Sequence, residues 1–171
     1  MPSLTRILGI DPGLNTTGYA VLDAAAGGPK IVEAGVVRSS EERRKPELVK
    51  RLRVLYDGLV EIIDQLRPEA LVVEQLYSHY AHPRTAILMA HARGVILLAG
   101  SERGLAVISY SATRIKKTIT GGGRASKEQM QMAMLREFRL PKLPEPHDVA
   151  DALAVALCHY HATRRTAEEV G

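Results

Sequence analysis

Cysteine is almost absent: Cys158 is the only one in 171 residues. A lone thiol cannot close an intramolecular disulfide and cannot build a thiolate zinc cluster, so a reducing, cytoplasmic setting is expected. Long apolar runs are also missing. Arg6 interrupts the amino-terminal stretch before a signal-type core develops, and the most apolar later segment, Thr85 to Ala99, contains His91 and Arg93. Neither export nor a membrane span is expected from such segments. There is no P-loop, no internal repeat and no low-complexity tract. Acids are lacking from Ser111 to Lys127, where five bases stand instead: Arg114, Lys116, Lys117, Arg124 and Lys127. That strip is either an ordinary solvated face or a surface for a polyanion, and the net charge of +4 permits both.

What is present is a globular composition, 46% hydrophobic and 25% charged, in a chain of the length that builds one core. A single domain over residues 1–163 is expected, with 164–171 as a flexible C-terminal tail. Leu4 to Ile10 reads as a strand closed by the turn Asp11-Pro12-Gly13, in which Pro presets φ and Gly tolerates positive φ. Thr17 to Leu22 and Lys30 to Val37 read as two more strands separated by Gly27-Gly28-Pro29, with antiparallel pairing to the first.

Leu48, Leu52, Leu55, Leu59, Ile62 and Leu66 mark an amphipathic helix that Pro68 brings to an end. Ala70 to Val73 then forms a buried strand carrying Glu74 at its carboxyl end. The helix from Arg84 to Ser101 is apolar almost all round, so it is either deeply buried or covered by a second subunit. Leu105 to Ser109 supplies the last strand, followed by a helical turn or two up to Gly121. Ser126 with Gln129 is a capping-box pattern ahead of the next helix, and a final helix runs from about Asp148 to Ala162. The order βββαβαβαα predicts an α/β fold, a mixed five-stranded sheet flanked by helices.

Four acids stand where structural acids are hard to justify. Singly, Asp11 reads as a turn former, Glu74 as a solvated strand end and Asp148 as an N-cap. Asp151 resists such a reading, because it interrupts Val149, Ala150, Ala152, Leu153 and Ala154 in a helix that otherwise looks buried. Asp148 and Asp151 share a helical face, to which His147 also belongs as an alternative ligand. If the two strands lie side by side under that helix, all four carboxylates converge. Hard oxygen donors without cysteine point to Mg²⁺ or Mn²⁺, and two such ions ~3.5 to 4 Å apart can stabilise both the attacking and the leaving oxygen of phosphodiester hydrolysis.

Gly9-Ile10-Asp11-Pro12-Gly13 with Thr17-Gly18-Tyr19, Val73-Glu74-Gln75, Ala92-Arg93-Gly94, and the run from Asp148 to Ala154 occur together and in order. In this combination the chain resembles the RuvC family of Holliday junction resolvases, from about Ile7 to His161. The resemblance implies a ribonuclease H-like fold and a cytoplasmic homodimer that makes paired nicks across a four-way DNA junction in recombination and repair. RuvA and RuvB type branch-migration proteins would be its partners. It implies Mg²⁺ as cofactor, two ions per subunit with Mn²⁺ able to substitute, held by Asp11, Glu74, Asp148 and Asp151. Lys116 and Lys127 match basic positions near the scissile phosphate, and Tyr77 matches an aromatic position that stacks on a base of the opened junction. Arg84, Arg93, Arg114, Lys117 and Arg124 are further candidates for the DNA backbone. Three readings compete: an RNA-directed nuclease of the same fold, an actin-like ATPase, and a catalytically silent junction binder.

Overall fold

The computed structural model describes residues 5–25, 27–40, 46–76 and 82–170, with side chains as far as residue 164. Strands β1 (Arg6–Asp11), β2 (Thr16–Ala25) and β3 (Gly28–Arg38) form an antiparallel meander. Helix α1 (Leu48–Leu66) leads to β4 (Ala70–Glu74), parallel to β1, and α2 (Pro83–Glu102) leads to β5 (Ala106–Tyr110), parallel to β4. The sheet order β3-β2-β1-β4-β5 is the mixed five-stranded arrangement expected. Helices α3 (Ala112–Thr120), α4 (Lys127–Glu137) and α5 (His147–Val170) complete the chain. Among the described residues no helix is long and apolar enough to cross a membrane.

The two-residue period of the strands sorts their side chains onto two cores. Leu8 and Ile10 of β1 and Leu71 and Val73 of β4 pack with Leu55 and Leu59 of α1 and Ile96 of α2. On the opposite face, Ile7 and Val72 pack with Met134, Leu153 and Leu157 of α4 and α5. Asp11 and Glu74 continue the second series, so alternation alone assigns both acids to the α5 face.

Two glycines let α5 approach that face. A Cβ on Gly9 would lie 2.7 Å from the Ala156 Cβ and against the Ala152 carbonyl oxygen. One on Gly18, which pairs with Asp11 across β1 and β2, would lie 2.6 Å from the Asp148 carbonyl carbon and against its oxygen. Gly18→Ala must therefore push the first turn of α5 off the sheet, an overpacking cost of about 3 kcal/mol. A urea unfolding midpoint equal to that of wild type would mean that α5 does not lie this close.

Several boundaries differ from those expected. The strands read as Thr17–Leu22 and Lys30–Val37 extend to 16–25 and 28–38, and Pro29 is accommodated because β3 is an edge strand, where its missing N–H opens no ladder. The last strand lies one residue later than read. Three helices follow it instead of two, since the turn or two before Gly121 is a nine-residue helix capped by Ser111. The helix expected to stop near Ala162 continues to Val170, through the residues read as a flexible tail. The capping box of Ser126 and Gln129 forms with both of its hydrogen bonds, 3.2 and 2.8 Å. Pro68 follows an α1 that ends on Arg67 at φ 49°.

Candidate active site

Strands β1 and β4 run parallel with Ile10 beside Val73, so the next residues, Asp11 and Glu74, end neighbouring strands on the same face. The first two turns of α5 cross that end of the sheet and bring Asp148 and Asp151, held close by the contact of the Asp148 main chain with Gly18. The four acids named from the sequence thus stand together, each contributed by the end of a different element or by the start of α5.

Their electrostatics express the crowding. Burial lifts the Asp11 carboxyl to about 8; repulsion from Asp151, Glu74 and Asp148 adds to the rise, and the Lys127 ammonium opposes it. Glu74 is raised first by burial and then by Asp151, against Lys116. Asp151 is raised by burial and by Asp148, while His147, Lys127 and Lys116 draw it back. Carboxylates perturbed together at the mouth of a sheet are a functional-site signature. Lys116 on α3 and Lys127 at the start of α4 bear on this cluster alongside His147, and the acid-free strip supplies both lysines.

The donor set suits a hard divalent cation: four carboxylates and no thiolate in reach of one another's charge. Among the described residues, however, no three His, Cys, Asp or Glu side chains already form a ligand cage. His147 faces outward, its side chain 53% exposed against 19% for Asp148, and its Nε2 lies 3.7 Å from the Asp148 carboxylate.

The remaining candidates divide. Tyr77 lies outside the described residues. Arg84 is exposed in the first turn of α2. Lys117 is exposed on α3, and Arg124 lines an open groove between α3 and α4. Arg114 is exposed and lies over the Tyr110 ring, 4.6 Å from its centroid. Tyr110 in turn pairs with Glu74 across β4 and β5, and its hydroxyl meets Nδ1 of the buried His159 at 2.9 Å. That network was not legible, because the hydrogen bond joins residues 49 apart in the chain. Nor was the position of Arg93, which is half-buried behind Glu74 and not on the side of the acids.

Comparison with known proteins extends over nearly the whole chain. The family profile described as "Crossover junction endodeoxyribonuclease RuvC" matches residues 7–159. A Rhodopirellula baltica protein of that description is 52% identical over 163 residues, covering 94% of this chain and 89% of its own. One from Pelotomaculum thermopropionicum is 42% identical over 155 residues, covering 91% and 92%. The structure of Thermus thermophilus RuvC matches with a TM-score of 0.82 at 28% identity, covering 95% of this chain and 98% of that one. The same protein in complex with Holliday junction substrate matches with a TM-score of 0.85 at 28% identity, covering 95% and 96%. The fold is accordingly α/β and ribonuclease H-like.

Proposed function

This chain belongs to the RuvC family of crossover junction endodeoxyribonucleases, and from that premise we propose that it resolves four-way DNA junctions by paired, symmetric nicks in recombination and DNA repair. The observation that carries the reading is the meeting of Asp11, Glu74, Asp148 and Asp151 at one end of the sheet, with Lys116 and Lys127 beside them. Enzymes of this family are metal-dependent nucleases. Here the four acids would hold two Mg²⁺ ions, with Mn²⁺ able to substitute. When bound, such ions lower the pKa of water and stabilise charge on the attacking and departing oxygens.

The protein's own groups divide the rest of the work. Asp11, which feels the other three acids together, would be the ligand shared between the ions. Asp148 is the more inward of the tandem pair with His147 and is the ligand favoured by its spacing to Asp151. Lys116 and Lys127 offset negative charge that builds up at the scissile phosphate, which is more effective in a half-buried cleft than in bulk water. Tyr77, three residues beyond Glu74, would stack on a base at the opened crossover, a contact worth ~1 to 3 kcal/mol. Arg84, Arg114, Lys117 and Arg124 are proposed to grip phosphates without reading sequence.

A homodimer is supported by α2. Ile87, His91, Gly94 and Leu98 recur at helical spacing on one exposed stripe; Ile87 is 58% and Leu98 52% exposed, and open space surrounds the missing Gly94 side chain. An apolar stripe with a glycine at its centre allows two helices to pack closely. A two-fold dimer also repeats one site across its axis, which suits a substrate of the same symmetry. RuvA and RuvB type proteins are the proposed partners, since this chain carries no P-loop with which to drive branch migration, and the proposed setting is the cytoplasm.

The deciding experiment uses a synthetic four-way junction. With Mg²⁺, a denaturing gel should show nicks at symmetry-related positions in two opposing strands, with none in EDTA, and sedimentation at the same concentration should give twice the chain mass. Cleavage of RNA duplex in preference to the junction, or metal-independent binding with no nicks, would overturn the reading.

A further inference from the structure

Helix α2 carries two arginines in very different settings. Arg84 is exposed in its first turn, whereas Arg93, midway along, is half-buried against the carboxyl ends of β4 and β5. Its Nη2 donates to Ser109 Oγ at 2.8 Å, and its Nε donates to the main-chain carbonyl of Glu74 at 3.4 Å. Ser109 pairs with Val73 in the sheet, so one guanidinium spans two neighbouring strands where they end. Among the described residues no carboxylate forms an ion pair with it.

The face matters. Ile108 and Tyr110 of β5 belong to the α5 core, so alternation puts Ser109 with Leu71 and Val73 on the α1 and α2 side. The carboxyl of Glu74 lies on the other side, where Asp151 and Lys116 are the charges that bear on it. Arg93 therefore holds Glu74 from behind. Partial burial of a guanidinium carries a desolvation cost, and the fold recovers it here through neutral acceptors at the point where the chain leaves the sheet. Backbone has the most freedom at such a point, and a shift of about 1 Å in a ligating group is enough to impair a site.

We propose that Arg93 is a positioning residue for the metal site: by bonding the carbonyl of Glu74 and the hydroxyl of Ser109 it fixes the direction in which the Glu74 carboxylate points, and it makes no contact with DNA. The proposal rests on the metal-dependent nuclease reading above. It also replaces the sequence-based expectation that Arg93 touches the DNA backbone, because its donors are turned into the sheet from the face opposite the acids.

The test compares Arg93→Gln and Arg93→Lys with wild type, each also in a Glu74→Gln background. Mn²⁺ affinity is measured by calorimetry without DNA, junction affinity by gel shift in EDTA, and kcat and KM on a synthetic junction. Loss of an outer partner of a metal ligand typically lowers metal affinity or activity 10- to 100-fold, so a fall in Mn²⁺ affinity of about tenfold and a fall in kcat with KM unchanged are expected. Arg93→Lys keeps the charge but cannot span both acceptors, and it should fall with Arg93→Gln. In the Glu74→Gln background neither change should lower Mn²⁺ affinity further, which is the coupling expected of residues acting as one unit. Junction affinity should stay within twofold of wild type. Weakened junction binding with intact Mn²⁺ affinity, full additivity with Glu74→Gln, or wild-type behaviour of Arg93→Lys each overturns the proposal. A wild-type protein that binds Mn²⁺ but leaves junctions uncut overturns the functional reading and leaves the metal-affinity result to stand by itself.

Discussion

Asp11→Asn is expected to abolish junction cleavage, by a factor of about 10³ or more in kcat, while the variant still binds the junction. A thousandfold loss corresponds to about 4 kcal/mol of transition-state stabilisation. The size of the effect follows from position. Asp11 is the acid that feels Asp151, Glu74 and Asp148 together, so it occupies the centre of the cluster, and an amide there keeps the shape but is a far weaker ligand for a divalent cation. Binding should survive because Asn is close in shape to the protonated Asp11 of the metal-free protein, so the change adds no charge to a surface that must approach phosphates. Cleavage is read on a denaturing gel in Mg²⁺ and binding by gel shift in EDTA. An Asn variant that cuts at near wild-type rate would remove Asp11 from the chemistry. A variant that neither cuts nor binds would mean that the change had damaged the fold, which a thermal melt would reveal.

The acids themselves were legible because two periodicities act on them. In β1 the alternation of Ile7, Gly9 and Asp11 against Leu8 and Ile10 gives the face, and the three-residue step from Asp148 to Asp151 gives the helical stripe. What joins them is long-range. Gly9 and Gly18 mark close approaches, yet a sequence does not say which helix approaches, and the answer is one that begins more than a hundred residues later. Arg93 was hidden for the opposite reason: α2 is apolar almost all round, so no polar face shows which way its second arginine points. Strand and helix ends were missed where local rules yield to context. Pro29 looks like a break until β3 proves to be an edge strand, and the stretch beyond Ala162 lacks an apolar rhythm, although its Ala, Arg and Glu residues favour helix. Tyr77 bears on junction binding by resemblance alone, since it lies outside the described residues.

The raised carboxyls also give the metal-free protein an unusual pH profile. An Asp at 3.8 in the unfolded chain and at about 8 in the folded one makes the native state the better proton binder across that interval. The associated stability is fully present below the unfolded value and is lost as pH rises through about 8, with Glu74 and Asp151 acting in the same direction. Water screens a cleft that opens to solvent, so a loss of about 2 kcal/mol between pH 5 and 9 is expected, which in a chain of this size amounts to roughly 5 °C in Tm. In EDTA, wild type should therefore melt lower at pH 9 than at pH 6, and Asp11→Asn should flatten the profile and melt above wild type at pH 9. Divalent metal competes for the same oxygens. Each bound ion that displaces the Asp11 proton should gain affinity by about tenfold per pH unit up to about 8 and then level off, because ligand deprotonation ceases to oppose binding. Calorimetric titration with Mn²⁺ at several pH values reads this directly, and the dependence should be weaker in Asp11→Asn. Equal stability of the metal-free wild type at pH 6 and pH 9, together with a flat Mn²⁺ affinity, would mean that the folded protein does not hold Asp11 protonated and that no proton there competes with the metal.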